Sequence, residues 1–233
     1  MPDITLEPLA APAPQTTTDQ VFETLYSAVV SLKLPPGAKV SEAEIAKQLD
    51  VSRQPVRDAF FRLSKLGFLL IRPQRATLVS RISERAVLNA AFVRTAIEAE
   101  CTRLATERRT DEDIARLRAN LQRQEQALGV EDAGVFHGLD DAFHRMICTI
   151  AGHAHAWDLI QEQKAQMDRV RFLTLSEKRR RDVRAEHGVI VDAIASGDPD
   201  EAERLMRTHL ADIRRVVSQI RHDKAAFFEE ERP

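Results

Sequence analysis

Residues 41–60, Ser41-Glu-Ala-Glu-Ile-Ala-Lys-Gln-Leu-Asp-Val-Ser-Arg-Gln-Pro-Val-Arg-Asp-Ala-Phe60, spell out a helix, a tight turn and a second helix. Ser41 suits an N-cap, and Glu44 stands where it could close a capping box. Ile45, Ala46 and Leu49 give the first helix an inward stripe. Ser52 is placed to cap the second, with Pro55 in its first turn, where a missing N–H costs little. Val56, Ala59 or Phe60, and Leu63 recur at helical spacing and point inward. Arg53 and Arg57 are one turn apart and share the opposite face. A helix pair with its second helix so armed suits the major groove of double-stranded DNA.

Downstream, Lys65-Leu-Gly67 stops the helix, and Phe68–Val79 places two apolar runs around Arg72-Pro-Gln-Arg-Ala76. That pattern predicts a β-hairpin wing with a basic tip. Residues 52–81 carry seven Arg or Lys (53, 57, 62, 65, 72, 75, 81) against the single acid Asp58. The whole chain has a formal net charge of -2, so phosphate contact is expected of this region alone. The expected DNA-facing residues are Ser52, Arg53, Gln54, Arg57, Arg62, Arg72 and Arg75.

Pro36-Gly-Ala-Lys-Val-Ser-Glu, followed by Ile45-Ala-Lys-Gln-Leu-Asp-Val-Ser-Arg-Gln-Pro-Val-Arg-Asp-Ala59, resembles the DNA-binding domain of GntR-family bacterial repressors. That resemblance implies a winged helix-turn-helix. Two departures stand out. Asp50 replaces the usual turn glycine, and Asp tolerates a left-handed conformation better than most residues. Ala76 replaces the usual wing-tip glycine.

The 233 residues suffice for this domain plus a second of roughly 150 residues. Hydrophobic residues make up 43% and charged residues 30%, ordinary for a soluble globular chain. No apolar run approaches the ~18 residues of a membrane-spanning helix, and no signal peptide is visible. Cys101 and Cys148 lack metal-ligand spacing and suit buried thiols in a cytoplasmic protein. Residues 1–17, with four prolines, suggest a flexible arm, and 18–80 the winged helix-turn-helix domain. Beyond that, helical periodicity runs almost unbroken: from Ser83 to about Arg109 with Leu88, Phe92, Ala96 or Ile97, and Leu104 inward, then from about Asp111, Ala133, His155 and Ser176. Gly197-Asp198-Pro199 punctuates the last step before a final helix to about Ala225. Residues 83–222 are thus expected to form an all-α antiparallel bundle, followed by a tail at 223–233 that is frayed from Phe227 to Pro233.

Within the bundle, Asp140 and His144 stand at i and i+4, and His187 and His209 fall on the last two helices. One carboxylate and three imidazoles from three helices could hold Zn²⁺, Ni²⁺ or Mn²⁺. The same residues, taken alone, equally describe solvated side chains on amphipathic helices. The pattern Leu139-Asp-x-x-Phe-His144, then Glu186-His187, then Gly197-Asp198 and Met206-x-x-His209, resembles the FCD ligand-binding domain of the FadR subfamily. That resemblance implies a divalent metal on Asp140, His144, His187 and His209, and places Arg94 where an effector carboxylate would be met. Arg94 could otherwise pair with Glu98 along its helix. Asp141, His137, His153, His155 and His222 match no ligand position and are expected at the surface or as caps, with Arg169 and Arg171 solvated.

The resulting expectation is a homodimeric regulator, by preference a repressor, on a pseudo-palindromic operator and controlled by a small organic acid at the metal. The alternatives are a structural metal with a non-small-molecule signal, or a metalloenzyme, for which the only acid next to the ligand set in sequence is Asp141, off its helix face. No enzymatic activity and no membrane association are expected.

Overall fold

The computed structural model describes residues 16–72 and 76–230. The chain divides into two compact units: the described part of 1–28 with 38–80, and 29–37 with 81 onward.

In the first unit, α1 (Thr17–Val30, its last two residues belonging to the second unit) precedes β1 (Lys39–Val40), α2 (Glu42–Gln48), α3 (Arg53–Lys65), β2 (Leu69–Leu70) and β3 (Thr77–Val79). Thr16 and Asp19 cap α1 reciprocally: Asp19 N–H donates to Thr16 Oγ1 at 3.1 Å and Thr16 N–H to Asp19 Oδ2 at 3.2 Å. Residues 16 and 17 therefore begin the helix rather than end an arm, and residues 1–15 of that expected arm lie outside the described residues. The turn between α2 and α3 forms as expected, with Asp50 at φ 52° in the left-handed region. Ser41 and Ser52 occupy the N-cap positions with extended backbone, but neither side chain makes a capping hydrogen bond. Val56, Ala59, Phe60 and Leu63 are all buried, so both alternatives at 59 and 60 face the core. The wing is antiparallel, pairing Leu69 with Val79 and Leu70 with Leu78. Strand β1 adds a third member on the other side of β3, in the order β1-β3-β2. Two residues are too short a run for alternation to announce a strand.

The second unit is all helical apart from one backbone bridge among its described residues. Its helices are α4 (Glu84–Arg108), α5 (Asp111–Gln126), α6 (Ala133–Ile150), α7 (Ala154–Thr174), α8 (Glu177–Ser196) and α9 (Pro199–Asp223). Each boundary follows local chemistry. Thr110 and Asp113 form a capping box on α5, Gly197 closes α8 at φ 80°, and Asp198 caps α9 with Pro199 in its first turn. The main core packs Phe143, Ile147, Trp157, Ile190, Ile194 and Met206 between α6, α7, α8 and α9.

Helix α4 packs against α6, α7 and α9, yet its buried face is not the one expected. Phe92 is 65% exposed, and Leu88, Ile97 and Leu104 are only partly buried. The deeply buried positions include Arg94, Glu98, Thr102 and Thr106. The apolar stripe misleads because this helix turns a polar face inward, toward the ligand cluster described below.

The chain end also departs from a frayed tail. After α9 comes a 3₁₀ turn (Ala225–Phe227), and Phe228 is only 2% exposed. Ile82 N–H donates to Phe227 O at 2.8 Å and Glu229 N–H to Ile82 O at 3.0 Å, in a parallel bridge. Burial of one aromatic ring and two backbone bonds hold the segment in place despite its charged surroundings.

Candidate functional site

Asp140 and His144 come from one face of α6, His187 from α8 and His209 from α9. One ligand atom from each lies within 4.8 Å of the others, and all four residues are buried. The imidazoles are oriented from behind. His187 Nδ1 lies 3.0 Å from Gln124 Oε1, and His209 Nδ1 lies 2.6 Å from Glu186 Oε2. His144 Nδ1 lies 2.5 Å from Glu98 Oε2. An acceptor beside each Nδ1 places the proton there and leaves a lone pair on Nε2. The three Nε2 atoms turn toward one centre. His187 Nε2 and His209 Nε2 are 3.3 Å apart, close enough to share a proton or a cation. His144 Nε2 and Asp140 Oδ1 are buried with no hydrogen-bond partner. Asp140 Oδ1 lies 3.7 Å from His187 Nε2, and Asp140 Oδ2 lies 3.9 Å from His144 Nε2. The donor set fits a divalent ion of the Zn, Ni or Mn type.

The protonation states agree. Burial alone would raise the Asp140 carboxyl, but Arg171, His144 and His187 overcome it and hold it well below the ordinary range. Burial pushes His187 far below its usual value, and His209 beside it acts the same way. Burial lowers His144 too, against the opposing pull of Glu98. Glu98 is drawn down to about 2, because Arg94 and His144 outweigh its burial. An ionised Asp140 beside His144 and His187, both held toward the neutral form, is the state a metal binds.

Several of these partners escape a reading by sequence motif. Gln124 is steadied by Nε2 donating to Asn120 Oδ1 at 2.7 Å, and Asn120 Nδ2 donates to Leu139 O at 3.1 Å. Both amides are fully buried on the core face of α5, beside Ile114, Leu117 and Leu121. A polar pair at i, i+4 within an apolar stripe was the available signal. Arg171, expected in solvent, is mostly buried and donates from Nη2 to Asp140 Oδ2 at 2.5 Å. Arg169 is fully buried as well. His137 and Asp141 are not free surface groups either. His137 Nε2 lies 3.7 Å from Asp168, and Lys164 Nζ bridges Asp141 at 2.9 Å and Asp168 at 2.5 Å.

An open cleft adjoins the cluster. Arg94, Arg171, Arg179 and His209 are on its wall. Arg94 pairs with Glu98 and also lines the cavity, so the two alternatives for it coexist.

In the first unit, Ser52, Arg53, Gln54, Arg57 and Arg72 are exposed. Arg57 Nε lies 3.3 Å from Glu42 Oε2, and Gln54 Nε2 donates to Asp58 Oδ1 at 2.9 Å. Arg62 is exposed too, but it is engaged by its own unit. It pairs with Asp19 at 2.8 Å and lies over the Phe22 ring at 3.9 Å, tying α3 to α1. Gln74 and Arg75 at the wing tip lie outside the described residues.

A winged helix-turn-helix joined to a helical unit with a buried Asp–His₃ cluster defines a DNA-binding regulator with an appended helical domain. Residues 17–79 match the bacterial regulatory proteins of the gntR family, and residues 90–212 match the FCD domain. The chain belongs to the GntR family of transcriptional regulators, in its GntR-plus-FCD architecture. It is 36% identical over 218 residues to the HTH-type transcriptional repressor RspR of Escherichia coli K12, covering 93% of this chain and 96% of the relative. It is 30% identical to a probable D-xylose utilization operon transcriptional repressor of Paenarthrobacter nicotinovorans, covering 84% and 86%. Among solved structures, Escherichia coli McbR/YncC superposes with a TM-score of 0.71 at 22% identity, covering 90% of this chain and 99% of that one, a likeness of fold. No helix among the described residues is long and apolar enough to cross a membrane.

Proposed function

We propose that the protein is a homodimeric transcriptional repressor of the FadR subfamily whose operator binding is set by a small organic acid bound beside a divalent metal. The observation that carries this reading is the convergence of three Nε2 atoms and Asp140, with their outer nitrogens and oxygens already held by Gln124, Glu186, Glu98 and Arg171. Such outer partners fix tautomer and ring orientation at metal centres. Asp140, His144, His187 and His209 would hold the ion, which supplies open positions to carboxylate oxygens. Arg94 and Arg171 face the same cavity and orient the acid through charge-assisted hydrogen bonds. Arg53, Gln54 and Arg57 read base edges, while Ser52 and Arg72 contact the phosphate backbone. Dimerisation gives two such helices for the two halves of a pseudo-palindromic site. Repression is the sign borne by two of the relatives' names. No turnover of the acid is part of the reading.

Linkage requires the acid to bind free and operator-bound protein unequally, and operator DNA to change acid affinity by the same factor. The test is the affinity for an operator obtained by in vitro selection, measured with and without metal and with a panel of acids. An acid that shifts operator affinity only in metal-loaded protein supports the reading. Operator affinity indifferent to every acid, with the metal bound, would make the metal structural and refute the sensing role.

A further inference from the structure

The cavity wall narrows the chemistry of the acid, an inference that rests on the metal-and-acid reading above. Every arginine on the wall already holds a carboxylate. Arg94 pairs with Glu98, Arg171 with Asp140 at 2.5 Å, and Arg179 with Glu186 at 2.6 Å and Asp212 at 3.2 Å. Asp212 is also held by Arg215 at 2.8 Å, so four guanidiniums face four carboxylates and this set is neutral. The neighbouring Asp141–Lys164–Asp168 group leaves one negative charge in excess. A divalent ion on the cluster turns that excess into a surplus of one positive charge. A single carboxylate balances the site, whereas a second would lie in a partly desolvated cavity with no cation of its own.

The rest of the wall is apolar: Ala91, Met167, Leu175, Val183, Ile213 and Val216 all line the cavity. Its one hydroxyl-bearing side chain, Thr174, is committed to the backbone, with Oγ1 donating to Val170 O at 3.2 Å and Arg171 O at 3.1 Å. A chain of hydroxyl groups would lose water here and find few partners, which a hydrocarbon tail does not.

We infer that this cavity takes an amphipathic monocarboxylate: one carboxylate with an adjacent oxygen donor toward the cluster, and an apolar tail against the aliphatic wall. Dicarboxylates and polyhydroxylated sugar acids are disfavoured, the first by charge and the second by unpaired hydroxyls.

Three 2-hydroxy acids share the chelating head and differ in the tail: mandelate (phenyl), malate (a second carboxylate) and gluconate (a polyol). Calorimetric titration of each into Zn²⁺-loaded full-length protein separates the alternatives. Mandelate should bind at least about tenfold more tightly than malate or gluconate, the scale expected for burying an aromatic tail. Malate or gluconate binding as tightly as mandelate would overturn this inference and leave the metal-and-acid reading standing. No binding by any of the three, with the ion bound, would overturn both. In the wall variant Ile213→Asn the preference for mandelate over gluconate should shrink several-fold, by about the contribution of one lost aliphatic contact. An unchanged ratio would show that the tail does not meet this wall.

Discussion

Asp140→Asn in metal-free protein probes the charge arrangement of the cluster without any ligand. Asp140 is fully buried, and its Oδ2 accepts from Arg171, whose side chain is 12% exposed. The substitution keeps shape and removes the charge, leaving the guanidinium with little water and a neutral amide oxygen in place of its carboxylate. Breaking a buried pair from one side costs about 3–5 kcal/mol. The residual exposure of Arg171 puts the expectation at the lower end, about 3 kcal/mol. With a urea slope of about 1–3 kcal/mol/M, the unfolding midpoint should drop by about 1–3 M. Trp157, the only tryptophan, is fully buried with its ring parallel to that of His144 at 6.3 Å, so its fluorescence follows this unit. Arg171→Met should be similarly costly, and the double variant should cost at least about 1 kcal/mol less than the sum, because each partner destabilises chiefly by stranding the other. Additivity within about 0.5 kcal/mol, or a loss below about 1 kcal/mol for Asp140→Asn, would refute the reasoning.

Three further outcomes are expected. Arg53→Ala or Arg57→Ala should abolish sequence-specific operator binding while leaving metal content unchanged, and retained specificity in anisotropy titrations would contradict their assignment. Phe228→Ala should destabilise the helical unit by about 3–5 kcal/mol, the usual range for a buried Phe, and a urea midpoint equal to the parent would show the chain end to be dispensable. Metal-free protein should lose stability as pH falls below about 6.5, since burial holds His137, His144 and His187 below that ordinary value and the unfolded chain then binds more protons. The stabilisation from these neutral imidazoles is complete above that pH and is lost on acidification; identical urea midpoints at pH 7.5 and pH 5.5 would contradict it.

What the sequence discloses follows from where physical chemistry is local. The helix-turn-helix is legible because Val56, Ala59, Phe60 and Leu63 face a purely apolar core, so periodicity and burial coincide. Asp50 is legible because few non-glycine residues adopt φ near 52° readily. The helical unit behaves differently around its cluster. On α4 the buried face mixes Val87, Ala91, Ala99 and Ala105 with Arg94, Glu98, Thr102 and Thr106, so a rule that follows the large apolar residues rotates the helix and points the exposed Phe92 inward. Arg171 looks solvated because its neutralising partner, Asp140, is 31 residues away in the chain. The four cluster residues are found by motif spacing, but the groups that orient them are not. Gln124, Glu98 and Glu186 come from three different helices, and nothing local marks them as partners of histidine rings. Phe228 hides in a charged terminal run whose docking depends on one backbone bridge to Ile82.

The most direct measurement is a calorimetric titration of Zn²⁺ or Mn²⁺ into chelator-treated protein and into His187→Ala. The account predicts one ion per chain in the parent and binding weakened by orders of magnitude in the variant. Absence of a stoichiometric ion, or equal affinity in parent and variant, would contradict the claim that Asp140, His144, His187 and His209 form a metal centre.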